Sequence, residues 1–152
     1  MSSYYITAFK CLLGIVNDLL KMLEIEWGVQ MESFYTQNGF KKGGSPGMVF
    51  VGKYLREIML EPNLAQLKLL LGDEADVAID YLRATRELYD VCVRQHLDES
   101  YDYEDKIEAF REAFNAVHDA WGVPETVKVH IMCDHVGDYF AYTGNNKIFI
   151  ES

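Results

Sequence analysis

Between Tyr5 and Trp27 the apolar residues Phe9, Leu13, Val16, Leu20, Leu23 and Trp27 recur at alternating steps of four and three. That spacing lines one face of an α-helix. A second row, Leu12, Ile15, Leu19 and Met22, runs beside the first. Together they make an apolar face wider than a single neighbour covers. Two arrangements satisfy such a helix. It is buried between two layers of its own chain, or it is buried on one side and meets a partner chain on the other. The second makes Phe9, Leu13, Val16, Leu20 and Trp27 candidate interface residues for a homo-oligomer or a protein partner. Asn17, Asp18, Lys21 and Glu24 interrupt the apolar run and make it too polar for a transmembrane span.

The rest of the chain repeats the helical period without a second type of element until its last residues. Gly28 to Gly47, with "TQNGFKKGGSPG", has the composition of one long loop. Phe34, Tyr35 and Phe40 punctuate it, either pinning the loop to the core or joining Trp27 in an aromatic contact surface. The glycines lack the spacing and the preceding strand of a phosphate-binding loop. A short helix over Val49–Leu60 stops before Pro62, and "PNLAQLKLLLG" predicts another ending at Gly72. Asp73 is the expected N-cap of a helix running to about Leu97, with Ala78, Leu82, Thr85, Tyr89, Cys92 and His96 on one face. "DEAD" here is the acidic start of a helix, which favours the helix dipole, and is not a helicase motif. "LDESYDYEDK" breaks the pattern without the ligand spacing of a calcium loop. Asp102 then caps a helix in which Ile107, Phe110, Phe114, Val117 and Trp121 step by three and four, and Gly122 and Pro124 end it. The last helix covers Glu125 to Tyr142, and "KIFIE" alternates as a short C-terminal strand does. The expectation is an all-α single domain over residues 1–152, a bundle of about six helices with one long Gly-rich loop.

Charge narrows the function. The formal net charge is −10, and the longest basic run is Lys41-Lys42. Displacing phosphate counterions needs a basic face, so direct nucleic-acid binding is disfavoured, as is an anionic membrane surface. The three cysteines are an odd number without a CxxC pair, which fits a reducing compartment. "MSSYYITAFK" lacks the basic start and apolar core of a secretion signal, so an intracellular protein of the nucleus or cytoplasm is expected. Ten tyrosines suit a recognition surface. An acidic surface of this kind suits a basic protein partner, or mimicry of a nucleic acid in its binding groove.

The stretch "VKVHIMCDHVGDYFAYTG" concentrates His130, Cys133, Asp134 and His135 in six residues. His130 and His135 lie ~140° apart on a helix and so share an ion only at a helix end. Cys92 and His96, at i and i+4, share a face. If those two helices pack together, Cys92, His96, His130 and either Cys133 or His135 could form a tetrahedral structural zinc site. The competing reading is helix packing, with Cys92 and Cys133 as small hydrophobes on apolar stripes and the histidines paired to nearby acids. Packing is the favoured one. A catalytic thiolate would need exposure and an oxyanion pocket, and neither is legible here.

The segment from Lys106-Ile107 and Phe110, through Thr126-Val127-Lys128-Val129-His130, to His135-Val136, Phe140 and Thr143-Gly144 resembles a stretch of transposon-derived proteins found in invertebrate genomes. Those carry "KIxxFxxxY" followed by "TxKVHxxxxHVxxFxxxTG". "FVGKYLREIM", Phe50 to Met59, resembles their "FxGNxCRKLL" helix. The resemblance covers about the last two-thirds of the chain and implies the helical insertion region of an RNase H-like DDE transposase. In such enzymes an H-x4-H pair can join an upstream CxxC on zinc. His130 and His135 keep that spacing, and the CxxC is absent. A DDE centre also needs three carboxylates holding two cations; the resemblance would set only Glu151 near the third. The expected function is therefore non-enzymatic, a transposase-derived helical domain acting through protein–protein contact or self-association. A zinc-stabilised module is one alternative. The other is a small metal-dependent nuclease using Glu151 or the Asp98–Asp105 acids.

Overall fold

The computed structural model describes residues 2–43, 49–94 and 103–134. These form α1 (Ser2–Glu26), α2 (Gly28–Asn38), α3 (Gly52–Ile58), α4 (Glu61–Leu71), α5 (Asp76–Arg94), α6 (Tyr103–Trp121) and α7 (Val127–Asp134), with a 3₁₀ turn at Asp73–Ala75. The architecture is all-α. Residues 1, 44–48, 95–102 and 135–152 lie outside the described residues. With them go the expected Asp102 cap, the second half of the last helix and the expected C-terminal strand.

The wide apolar face of α1 explains its place. α1 packs against α2, α3, α5 and α7. Leu12, Ile15, Val16, Leu19, Leu20 and Leu23 are all buried, so both rows of its face go into one core to which every helix contributes. α5 and α6 pack along each other, with Tyr81 against the rings of Phe110 and Phe114 at 5.4 and 6.0 Å. Ala78, Leu82, Thr85 and Cys92 line the buried face of α5, as their spacing predicts. The Thr85 hydroxyl, fully buried, donates to the Tyr81 carbonyl one turn back at 2.7 Å. α6 ends at Gly122, whose φ of 70° lets its N–H close on the His118 carbonyl at 2.7 Å.

The structure corrects the expected loop over Gly28–Gly47: its first half is α2. Gly28 does not break the chain because the hydrogen-bond ladder runs across the elbow. Trp27 N–H donates to the Leu23 carbonyl at 2.7 Å, and Met31 N–H to the Trp27 carbonyl at 2.8 Å. Only Trp27 leaves helical geometry, at φ −126° and ψ 48°. Met31, Phe34 and Tyr35, at i, i+3 and i+4, then bury one face. The helix closes on Gly39 at φ 70°. Phe40 N–H bonds the Tyr35 carbonyl (3.0 Å) and Gly39 N–H the Thr36 carbonyl (3.3 Å), the two bonds of a Schellman cap. The hydrophobic contact that accompanies such a cap is present, with Phe34 and Phe40 rings 5.7 Å apart.

Two smaller expectations also change. α3 is shorter than Val49–Leu60, because Val51 is extended and Leu60 starts a new helix instead of ending the old one. Pro62 sits in the first turn of α4, where a missing N–H costs nothing. Asp73 makes no cap bond; its carboxylate pairs with Lys68 at 2.6 Å, and Lys68 also reaches Asp76 at 2.5 Å. Thr126 is the residue that caps α7, accepting from Val129 N–H at 3.4 Å. Lys128 then crosses α1 over Gly14, where a Cβ would come within 3.0 Å of its stem, to pair with Asp18 at 2.9 Å.

Candidate functional site

Among the described residues the histidines and cysteines do not converge on one site. Cys92 is fully buried on α5, and burial pushes its thiol up to about 12. α7, which carries His130 and Cys133, packs against α1 and α6. Among the described residues neither Cys92 nor Cys133 belongs to a group of side chains that could share a metal ion. Cys133 is partly buried; burial raises its thiol, and the Arg111 guanidinium, which donates to the Cys133 carbonyl at 2.6 Å, opposes that rise. His130 faces solvent with Nδ1 2.9 Å from Asp134 Oδ2 and 3.5 Å from Glu125 Oε2. Among the described residues the one metal-type cluster is thus Glu125, His130 and Asp134, with one ligand atom of each within 4.8 Å of the others. All three are exposed, and Asp134 is shared with Arg111 at 3.4 Å, the pattern of a surface ion-pair group. His96, His135 and Glu151 lie outside the described residues.

The residues expected at an interface divide differently. Val16, Leu20, Phe34, Tyr35 and Phe40 are buried inside this chain. Phe9 and Leu13 are partly buried on the same core, Phe9 at 4.8 Å from the Tyr89 ring. These side chains are covered by their own fold because the second half of α1's face meets α2, α3, α5 and α7 instead of a partner. Trp27 is the exception. It sits half-buried at the α1–α2 elbow, beside Trp121 at the end of α6, with ring centroids 5.8 Å apart and planes inclined by 48°.

Two concave features among the described residues combine aromatic and charged side chains. The first, about 560 Å³, lies between α1, α2 and the segment after Gly39. At its wall the Tyr35 hydroxyl donates to Glu24 Oε2 and Lys42 Nζ donates to Glu24 Oε1, both at 2.6 Å. The ammonium also lies 5.7 Å from the Tyr35 ring centroid and 5.6 Å from that of Phe50. Burial, and then the Glu24 carboxylate, hold the Tyr35 phenol protonated well above its usual range. Every polar group of this trio is satisfied, so it clamps Lys42 and α2 onto α1.

The second feature, about 400 Å³, is lined by Met22, Ile25, Glu26, Trp27, Glu74 and Trp121. Its groups are not satisfied internally. Ile25 is 85% exposed, and the carboxylates of Glu26 and Glu74 have neither hydrogen bond nor ion pair among the described residues. Next along α2, Val29 is 82% exposed. The sequence carried one signal for this site: Ile25 is apolar yet falls in neither of the two rows of α1. The meeting of Trp27 with Trp121, and the arrival of Glu74 beside them, had no local signal. Comparison with protein-family models, with curated proteins and with solved structures returned no match. Among the described residues no helix is long and apolar enough to cross a membrane.

Proposed function

We propose that this chain is a non-enzymatic helical interaction domain, of transposase-like descent, that works by docking a partner protein at the Trp27–Trp121 cleft. The observation that supports this reading is the cleft itself. Two half-buried indoles and an isoleucine exposed at 85% form an apolar floor that no described element covers. Tryptophan is the residue most enriched among side chains that dominate binding energy, and it does so from a partly enclosed position that a partner completes. Phe9, Phe34, Tyr35 and Phe40, the other aromatic residues expected at a contact surface, pack in or against the core. The descent rests on the sequence resemblance, whose most specific part is the KVH…HV…TG signature.

A photo-crosslinking side chain placed at Ile25 tests the docking reading in cells. The control position is Asn115, which is also exposed and lies on α6. A discrete higher-mass adduct from position 25 and none from position 115 is the expected outcome. Equal adducts from both positions, or none from either, would refute it.

A further inference from the structure

Resting on that docking reading, we propose that the Trp27–Trp121 cleft receives a cationic side chain, lysine or arginine, from a basic segment of the partner. The chain contains its own precedent. Lys42 is held by one glutamate carboxylate at 2.6 Å and by two aromatic rings at 5.6 and 5.7 Å. The cleft presents the same components, two aromatic rings and two glutamates, and among the described residues no lysine or arginine lines it. A cation within about 6 Å of an indole centroid is attracted by the ring's negative face, and tryptophan is the strongest of the aromatic side chains in this respect. Glu26 and Glu74 add the ionic partners, and the alkyl stem of a lysine or arginine matches Met22 and Ile25.

The charge of the molecule points the same way. Acidic residues outnumber basic ones 24 to 14, for a net charge of −10, so a positively charged segment is drawn in and an acidic one repelled. A neutral apolar partner would leave both carboxylates desolvated without compensation, which disfavours it as occupant. The surrounding surface selects for sign, and the two indoles select for a side chain that can stack.

The site carries its own reporter, because Trp27 and Trp121 are the only tryptophans in the chain. Titrating the full chain with octa-arginine and octa-lysine at about 0.15 M salt, where long-range attraction is screened, should give a saturable change in tryptophan fluorescence. Glu26→Gln with Glu74→Gln should raise the midpoint about tenfold, as expected for losing two ion pairs completed on binding. Glu32→Gln with Glu112→Gln, exposed acids that remove the same charge elsewhere, should move it less than about twofold. Trp121→Phe supplies a second variant that keeps an aromatic ring, and far-UV circular dichroism verifies the fold of each. Equal weakening by the two charge-matched pairs would reduce the effect to generic attraction and overturn the proposal. So would the absence of a saturable response to either peptide, or a fluorescence change on diluting the protein alone, which would assign the cleft to a second copy. A crosslink at Ile25 without a polycation response would leave the docking reading standing and remove the cationic occupant.

Discussion

Replacing Phe34 by alanine separates a core role from an interface role at a residue whose sequence context admits both. The ring is fully buried on α2, packed between Tyr35 and Phe40 with centroids 5.9 and 5.7 Å away. A buried aromatic side chain removes about 150–250 Å² from water. At about 25 cal/mol per Å² that is about 4–6 kcal/mol, of which alanine retains a part. The expected loss is therefore about 3–5 kcal/mol, in line with buried Phe→Ala changes generally. Total stability for a domain is about 5–15 kcal/mol, so this loss is between a fifth and the whole of it. In thermal melts the midpoint should fall by roughly 10–15 °C for a chain of this size. Phe34→Leu keeps most of the apolar volume and should lose about 1–2 kcal/mol. Urea unfolding followed by far-UV circular dichroism measures both. A loss below about 1 kcal/mol for Phe34→Ala, set against the buried-aromatic values above, would mean that Phe34 is not in the core. The helical reading of Gly28–Asn38 would fall with it.

Gly39→Ala should cost about 1–2 kcal/mol by backbone strain alone, since φ is 70° and a Cβ there would touch nothing within 4 Å; a neutral result in the same urea assay would refute the Schellman cap. Hydrogen bonds from Arg83, then the nearby charges of Arg83 and Arg86, hold the Glu61 carboxyl below its ordinary range. Its stabilisation is therefore complete above the unfolded value near about 4.3 and is lost as pH falls through the lower folded value. Because Glu61 is half-exposed, Glu61→Gln should cost under ~1 kcal/mol at neutral pH, and the difference from wild type should shrink as the pH falls below the unfolded value. A difference that grows as the pH falls would contradict the pairing. Alkylation of the native chain, read by intact mass and peptide mapping, should label Cys133 first, Cys11 slowly and Cys92 only on unfolding, following their burial; early labelling of Cys92 would refute its placement.

The helices with strong, long amphipathic patterns were legible because the pattern is local. Phe9 through Trp27, Ala78 through Cys92 and Ile107 through Trp121 each repeat the helical period over several turns, and each is a helix with that face inward. α2 escaped because its buried apolar set is only Met31, Phe34 and Tyr35, with a glycine at each end and polar residues between. Gly28 looked like a break, and the backbone bonds through Trp27 that carry the chain past it depend on conformation and not on residue type. Asp73 had the chemistry of a cap, but Lys68 one turn back on α4 competes for its carboxylate.

Which helices become neighbours is a different order of information. The width of α1's apolar face required two partners and was silent on whether they came from this chain. Likewise, Cys92 and Cys133 sit on apolar stripes whatever the packing, and only the packing of α7 on α1 and α6 decides what surrounds Cys133. By itself, then, the sequence determined the all-α class, the inward faces of the long helices and the acidic surface, because periodicity and charge are properties of residues in order. The tertiary structure alone decided that α1's second face is filled by its own chain, and that Trp27 and Trp121, far apart in sequence, meet beside two glutamates that have no ion pair among the described residues. Such contacts follow from the sum of all packing energies over the chain, and no local window contains that sum.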